Sequence, residues 1–300
     1  MKKKTYLFAL MAMVLTLGSC SDNENGIGGE TSKYITVSTS IGNMTRVATD
    51  EKGGQTFEEG DEISVYAWTG DATIAPETRE RVVNNAINKL TNGSWVSTPQ
   101  MLWKNNRDKH YFIGVYPTAA ISDLSAGEYT FDANKQTESD LLVAVNKDGL
   151  SYNVDAQQTV PLTFTHVMAK LAVNLTYKNQ WGGIPTVEKV VVGNAAKEAT
   201  INYLTKVVTP STTAKEDFSL PEITENTKYV SVIIPQEEVT QLTIVIGGKN
   251  FVYDNGTPFK LESGKITTVN LEVGRDEIKL GDVKITNWED GSTFSGEALN

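Results

Sequence analysis

Beyond its first thirty residues, the chain is a succession of short runs in which β-branched and aromatic residues alternate with polar ones. The clearest are Tyr34–Ser40, Glu62–Trp68, His110–Tyr116, Leu141–Val145, Val187–Val192, Val230–Ile234, Leu242–Ile246 and Ile266–Leu271. A period of two sends successive side chains to opposite faces, so each run predicts a strand. Asn92-Gly93, Asp148-Gly149, Gly182-Gly183, Gly247-Gly248 and Asn255-Gly256 punctuate the runs and predict turns. No stretch keeps a helical period for long. The best helical candidate is Glu77–Leu90, although it carries adjacent Asn84 and Asn85 and adjacent Val82 and Val83. Many short strands with regular turn signals predict an all-β chain of sandwiches, not a parallel α/β sheet.

The long run from Val160 to Leu175 changes its apolar face partway. Leu162, Phe164, His166 and Met168 share one parity, and Val167, Ala169, Leu171, Val173 and Leu175 share the other. A strand whose buried face switches is what a crossing between domains would produce, and the boundary is placed near residue 165. The expected organisation is an N-terminal sandwich over 33–165 and a C-terminal sandwich over 166–300. A strand near the chain's end is either donated or kept.

The first residues follow a different pattern. Lys2, Lys3 and Lys4 precede an apolar run, Tyr6–Leu17, which is short for a membrane span and suited to an export signal. Gly18 and Ser19 then lead to Cys20, the single cysteine. Leu17-Gly18-Ser19-Cys20 resembles the lipobox of bacterial lipoproteins. That resemblance implies a signal peptide over 1–19, cleavage between Ser19 and Cys20, two acyl chains on the Cys20 thiol and a third on the new amine. Two or more chains anchor a protein stably to a membrane. The other reading is a soluble secreted protein with a chance cysteine. Residues 20–32 are polar and glycine-containing, as suits a tether. Ser21-Asp22-Asn23-Glu24 is also similar to the surface-export signals of some Gram-negative lipoproteins.

Charge narrows the partners. The 300 residues carry 27 basic and 37 acidic side chains, for a net charge of −10. Lys2–Lys4 would leave with the signal, making the remainder more acidic still. Such a chain repels phosphate backbones, which argues against nucleic acid. One cysteine allows no disulfide within the chain.

The residues offer little chemistry. His110 and His166 lie in separate predicted strands with no partner at ligand spacing, and read as hydrogen-bonded structural histidines. There is no Gly-x-Ser-x-Gly and no phosphate loop. Glu58-Glu59 and Glu237-Glu238 are neighbours in sequence, so on a strand they point to opposite faces and cannot form a glycosidase pair. Asp254-Asn-Gly lacks the length of a calcium loop and reads as a turn. No catalytic residue, metal site or cofactor is expected. Trp68, Trp95, Trp103, Trp181 and Trp288 either pack in the sandwiches or line a glycan-binding surface.

Several segments, in order, are similar to those of the fimbrillins, the subunits and accessory proteins of type V fimbriae in Gram-negative anaerobes. They are the lipobox ending at Cys20, a first strand leading to Met44-Thr45-Arg46-Val47-Ala48-Thr49, and Phe57-Glu-Glu-Gly-Asp-Glu-Ile-Ser-Val-Tyr66. The central Phe164-Thr-His-Val-Met-Ala-Lys-Leu-Ala-Val173 and the closing Ile285-Thr-Asn-Trp-Glu-Asp-Gly291 complete the set.

The resemblance implies two tandem transthyretin-like β-sandwiches carried to the outer membrane as a lipoprotein. It implies that the first strand leaves after a cut between Arg46 and Val47, and that a strand of the next subunit fills the groove. The candidate donor residues here are Val283, Ile285 and Trp288. Arg46 also reads as an ordinary loop arginine. The implied partners are other fimbrial subunits, the membrane through the lipid, and a host or bacterial surface ligand. The alternative is a monomeric surface lipoprotein that binds glycan or host ligand.

Overall fold

The computed structural model describes residues 33–42, 56–136, 138–153 and 158–288. Nineteen strands run through them: β1 (Thr36–Ile41), β2 (Glu62–Thr69), β3 (Val83–Thr91), β4 (Ser94–Thr98), β5 (His110–Tyr116), β6 (Gly127–Thr130), β7 (Leu142–Leu150), β8 (Thr159–His166), β9 (Ala169–Tyr177), β10 (Val187–Ala196), β11 (Glu198–Asn202), β12 (Val207–Pro210), β13 (Lys215–Ser219), β14 (Glu222–Thr224), β15 (Lys228–Ile233), β16 (Gln236–Ile246), β17 (Lys249–Leu261), β18 (Lys265–Val273) and β19 (Ile278–Asn287). The predicted all-β class holds.

The first half forms a seven-stranded sheet in the order β1-β8-β7-β5-β2-β3-β4. Its pairings are antiparallel except that of β1, which runs parallel to β8. Both faces of the sheet are covered. Ile63, Val65 and Ala67 of β2 join Phe112, Leu142, Ala144, Val160, Leu162 and Phe164 in one core. Tyr66 and Trp68, on the opposite face of β2, join Ile113, Val115 and Val143 in a second. The hydroxyls of Ser64 and Tyr66, both buried, find partners. The Ser64 hydroxyl accepts a hydrogen bond from the Ala119 N–H (3.0 Å), and the Tyr66 hydroxyl accepts one from the Ile121 N–H (2.9 Å). Alternation along β2 therefore separates two cores, not core from solvent.

The second half supplies a four-stranded sheet (β13-β10-β16-β17) and a five-stranded sheet (β14-β15-β9-β18-β19). The run from Val160 to Leu175 is two strands. β8 ends at His166 in the seven-stranded sheet and β9 begins at Ala169 in the five-stranded one. The switch of apolar face thus falls where the chain leaves one sheet for another. Other contacts span this joint. β6 pairs with β11 in a three-stranded sheet, and one core contains Tyr66, Trp68 and Val115 together with Leu171, Val190 and Ile244. Gln136 adds a polar tie: its Oε1 accepts from the Val232 N–H (2.7 Å) while its Nε2 donates to the Ser231 hydroxyl (3.1 Å).

Three local expectations need correction. Glu77–Leu90 is not a helix. A single 3-10 turn, Thr78–Glu80, leads into β3 between β2 and β4. Val83 and Ala86 are buried there, and Asn85 takes a left-handed φ of 56° at a bulge opposite Val65–Ala67. Asparagine tolerates that conformation, and paired β-branched residues suit a pleat better than a helix. Asn255-Gly256 does not end a strand either. It falls within β17, where the pairing jumps from Gln241↔Asp254 to Val239↔Phe259. Asp148-Gly149 likewise lies within β7, with Gly149 at φ 67°. In both places a turn-like dipeptide sits inside an irregular strand.

Candidate functional site: strand β1, its groove and strand β19

Strand β1 reads Thr-Val-Ser-Thr-Ser-Ile, and its alternation places only part of it indoors. Val37 is 6% exposed and Ile35, just before the strand, is 1% exposed, whereas Thr39 and Ile41 are half-buried. The partner strand sends Val160, Leu162 and Phe164 fully into the core. Six residue pairs, Thr36↔Thr159 to Ile41↔Phe164, define the parallel register. On the outer face the hydroxyls of Thr36 and Thr159 lie 3.3 Å apart, and Ser40 Oγ donates to Thr163 Oγ1 at 3.2 Å.

The opposite edge of β1 is held at one end. The Ile35 N–H donates to Met101 O (2.9 Å) and the Trp103 N–H donates to Lys33 O (3.2 Å). Beyond that clasp, a groove of about 630 Å³ separates β1 from β4, lined by Val37, Thr39, Ile41, Phe57, Leu90 and Trp95 among others. Trp95 Nε1–H donates to Thr39 Oγ1 (3.0 Å) across it. The Phe57 ring meets Trp95, Tyr116 and Phe164 edge-on, with centroids 5.3, 5.3 and 5.1 Å away. The Phe57 segment, singled out by its sequence, therefore builds the groove wall. Trp95 and Thr39 were not foreseen there, because nothing in the sequence ties residues that far apart.

The C-terminal strand lies elsewhere, at an edge of the five-stranded sheet. β19 pairs antiparallel with β18, from Lys265↔Asn287 to Val273↔Ile278. Gly281 has no counterpart on β18: Asp282 faces Asn270 and Leu280 faces Leu271. This bulge shifts the parity, so that Ile278, Leu280, Val283 and Ile285 oppose Val273, Leu271, Val269 and Thr267 and share their face. β19 thus carries one continuous apolar stripe that its sequence hides. The stripe is incompletely covered, with Val283 40% and Ile285 37% exposed.

Trp288, just past β19, is buried. Its indole stacks on the His166 imidazole, 4.0 Å between centroids and 7° from parallel, and Lys170 Nζ stands 4.1 Å from the indole ring centre. The three candidate donor residues are therefore unlike: two exposed on a strand edge and one packed. Ser19, Cys20, Arg46 and Val47 lie outside the described residues.

Both histidines are structural, as expected. His110 Nε2 accepts from the Lys104 N–H (3.0 Å), and its Nδ1 lies 3.1 Å from Asp108 O. Burial pushes its pKa down. His166 Nδ1 meets Asp140 Oδ1 at 2.8 Å. Among the described residues no cluster of three or more His, Cys, Asp or Glu is placed to hold a metal. Trp68, Trp103 and Trp288 are buried, and Trp95 and Trp181 are half-buried. Trp68 and Trp103 line a wider concavity of about 770 Å³ beside Arg79 and Lys104, yet both are buried in the core below it. That hollow is larger than the β1 groove but offers no open ring face for a sugar.

The model of the fimbrillin-like family matches residues 45–288. The chain belongs to the fimbrillin-like family. It is 24% identical to a Bacteroides uniformis protein described as fimbrium subunit Fim1C, over 97% of each chain. Two solved structures, each described as a cell adhesion protein, share the fold. The one from Bacteroides uniformis has a TM-score of 0.61 and 20% identity, covering 86% of this chain and 100% of its own. The one from Bacteroides ovatus has a TM-score of 0.61 and 18% identity, covering 85% and 98%. For this fimbrillin-like chain, those likenesses speak to the fold.

Proposed function

We propose that this chain is a fimbrial structural or adhesion subunit, displayed at the cell surface, that assembles by exchanging β1 for a strand of a neighbouring subunit. It is read as a building block and not as an enzyme. Residues 33–165 and 166–300 act as its two sandwich units. The observation that carries the reading is the asymmetry of β1. It is a six-residue edge strand lying beside a groove, and Val37 is its one fully buried side chain, with Ile35 in the clasp before it.

Burying a Val or Ile side chain is worth about 1.5–3 kcal/mol, and each net hydrogen bond about 0.5–1.5 kcal/mol. A strand held by so few large side chains is one that a better-matched strand can replace. Vacating its place leaves a row of unpaired backbone groups, which favours refilling by an extended segment. The donor is β19 of the next copy. Its stripe of Ile278, Leu280, Val283 and Ile285 is longer than β1 and under-buried at home. The cut that releases β1 falls between Arg46 and Val47. The lipid on Cys20 brings the precursor to the outer membrane.

The test uses protein beginning at Ser21, digested with an arginine-specific protease. The expected result is a new N-terminus at Val47 and a ladder of multimers on an unheated detergent gel. A clean cut at that bond with no multimers overturns strand exchange. A chain that resists cutting there overturns the processing step.

A further inference from the structure

Two segments singled out in the sequence, Phe164–Val173 and Ile285–Gly291, meet in space. Trp288, from the second, stacks on His166 and has the Lys170 ammonium over its ring, both from the first. The cluster is braced on several sides. His166 is tied to Asp140, which precedes β7, at 2.8 Å. The Trp288 N–H donates to Gly264 O (3.0 Å), and the Gly264 N–H donates to Met168 O (2.8 Å). The Ser263 hydroxyl donates to Val167 O (2.9 Å). Trp288 therefore docks at the joint where β8 gives way to β9, against the turn that leads into β18.

The rest of β19 is held differently. Its outward residues are exposed and its apolar stripe is only partly covered, with the backbone ladder to β18 as the main restraint. Trp288 is the one fully buried side chain of the segment 278–288. An edge strand paired on one side only, with one buried aromatic at its end, opens and closes through that aromatic. A cation over an indole and a stacked ring pair are both attractive, and both are concentrated at this one point.

We propose that the His166–Trp288–Lys170 cluster is a latch that keeps β19 on its own subunit, and that opening it is the step that frees β19 for a neighbour. The second clause rests on the reading of β19 as a donor strand; the first does not. The joint between the sheets thereby senses whether the C-terminal strand is at home.

The test is hydrogen–deuterium exchange on the uncut chain, comparing wild type with Trp288→Ala and Lys170→Met. Lys170→Met keeps the side-chain stem and leaves the donor strand's sequence intact. The latch predicts exchange over 278–287 at least about tenfold faster in Trp288→Ala, smaller and in the same direction in Lys170→Met, with 110–116 and 187–196 unchanged. Unchanged exchange over 278–287, or an equal rise in every sheet, overturns it. The coupling to assembly is read from Lys170→Met after arginine-specific cleavage, which should form multimers faster than wild type. An equal rate overturns the coupling. If exchange over 278–287 rises as predicted and neither protein forms multimers, the donor reading fails and the latch stands.

Discussion

Gly114 of β5 lies so close beneath Phe164 of β8 that a Cβ built on it would stand 2.6 Å from the ring's Cζ. Leu162 Cδ1 would lie 3.1 Å away. Phe164 cannot retreat easily, because it is fully buried and its ring meets Phe57 at 5.1 Å. Gly114→Ala should therefore destabilise the chain by about 1–3 kcal/mol through overpacking. It should also loosen Phe57 and the groove wall. Denaturant unfolding measures the first, and faster exchange around residue 57 the second. An unchanged midpoint would mean that the ring has room the structure does not show.

Across the groove, the Trp95 indole N–H donates to Thr39 Oγ1 (3.0 Å). Thr39→Val keeps the shape and the β-branching of the residue but removes the acceptor. The indole N–H then loses its partner, at a cost of about 1–3 kcal/mol where water cannot replace it. Because the contact bridges β1 to β4, the loss should appear as faster exchange in residues 36–41 rather than in β9 or β10. If strand exchange operates, Thr39→Val should also speed multimer formation after cleavage. Slower multimer formation would show that the contact guides the incoming strand instead of holding the old one.

The elements that were legible in the sequence and those that were not differ for a physical reason. β2, β5, β8 and β9 announce themselves because alternation is local, and β-branched and aromatic residues fill it. β3 does not, because Asn84 and Asn85 interrupt the period at a bulge whose left-handed residue only the sheet explains. The stripe on β19 is split across two parities by Gly281, so no period-two count finds it. The groove was half legible. Phe57 stood in a conspicuous segment, but β1 meets its partner β8 more than a hundred residues along the chain. The parallel register follows from how the sheet closes, not from either strand alone. His166, Lys170 and Trp288 were each conspicuous, and only the fold puts them in one stack.

His110 gives the protein a pH dependence that can be assigned. Its Nε2 accepts from the Lys104 N–H, so protonation there would break that bond within a buried site. Burial lowers its pKa below the ordinary 6.5. The sign follows. Above 6.5 both folded and unfolded chains hold a neutral imidazole and nothing is lost. As pH falls through 6.5 the unfolded chain takes up a proton first, and stability declines, with a slope of at most about 1.4 kcal/mol per pH unit. His110→Gln should flatten that decline between pH 7 and pH 5.5, whatever it does to stability at neutral pH. Unfolding titrations of both proteins over that window measure the difference. Equal slopes would remove His110 as the cause.

The bulge at Gly281 offers the strictest check on how β19 is built. Its single extra residue lets Ile278 and Leu280 face the same way as Val283 and Ile285. Deleting Gly281 leaves every other pair of the ladder in register, with Asp282 following Leu280 directly. Ile278, Leu280, Val283 and Ile285 then alternate without a break with Lys279, Asp282 and Lys284, and all four keep the face they share with Val273, Leu271, Val269 and Thr267. Trp288 can stay docked on His166. The deletion should therefore leave hydrophobic-dye binding and tryptophan fluorescence as in wild type, with a melting temperature no lower. Replacing Gly281 by two glycines adds a residue that the ladder cannot pair, and should lower the melting temperature and raise dye binding. A deletion variant that melts lower, binds more dye and shifts tryptophan fluorescence to the red would show that the bulge itself, and not the ladder on either side of it, holds β19 against β18.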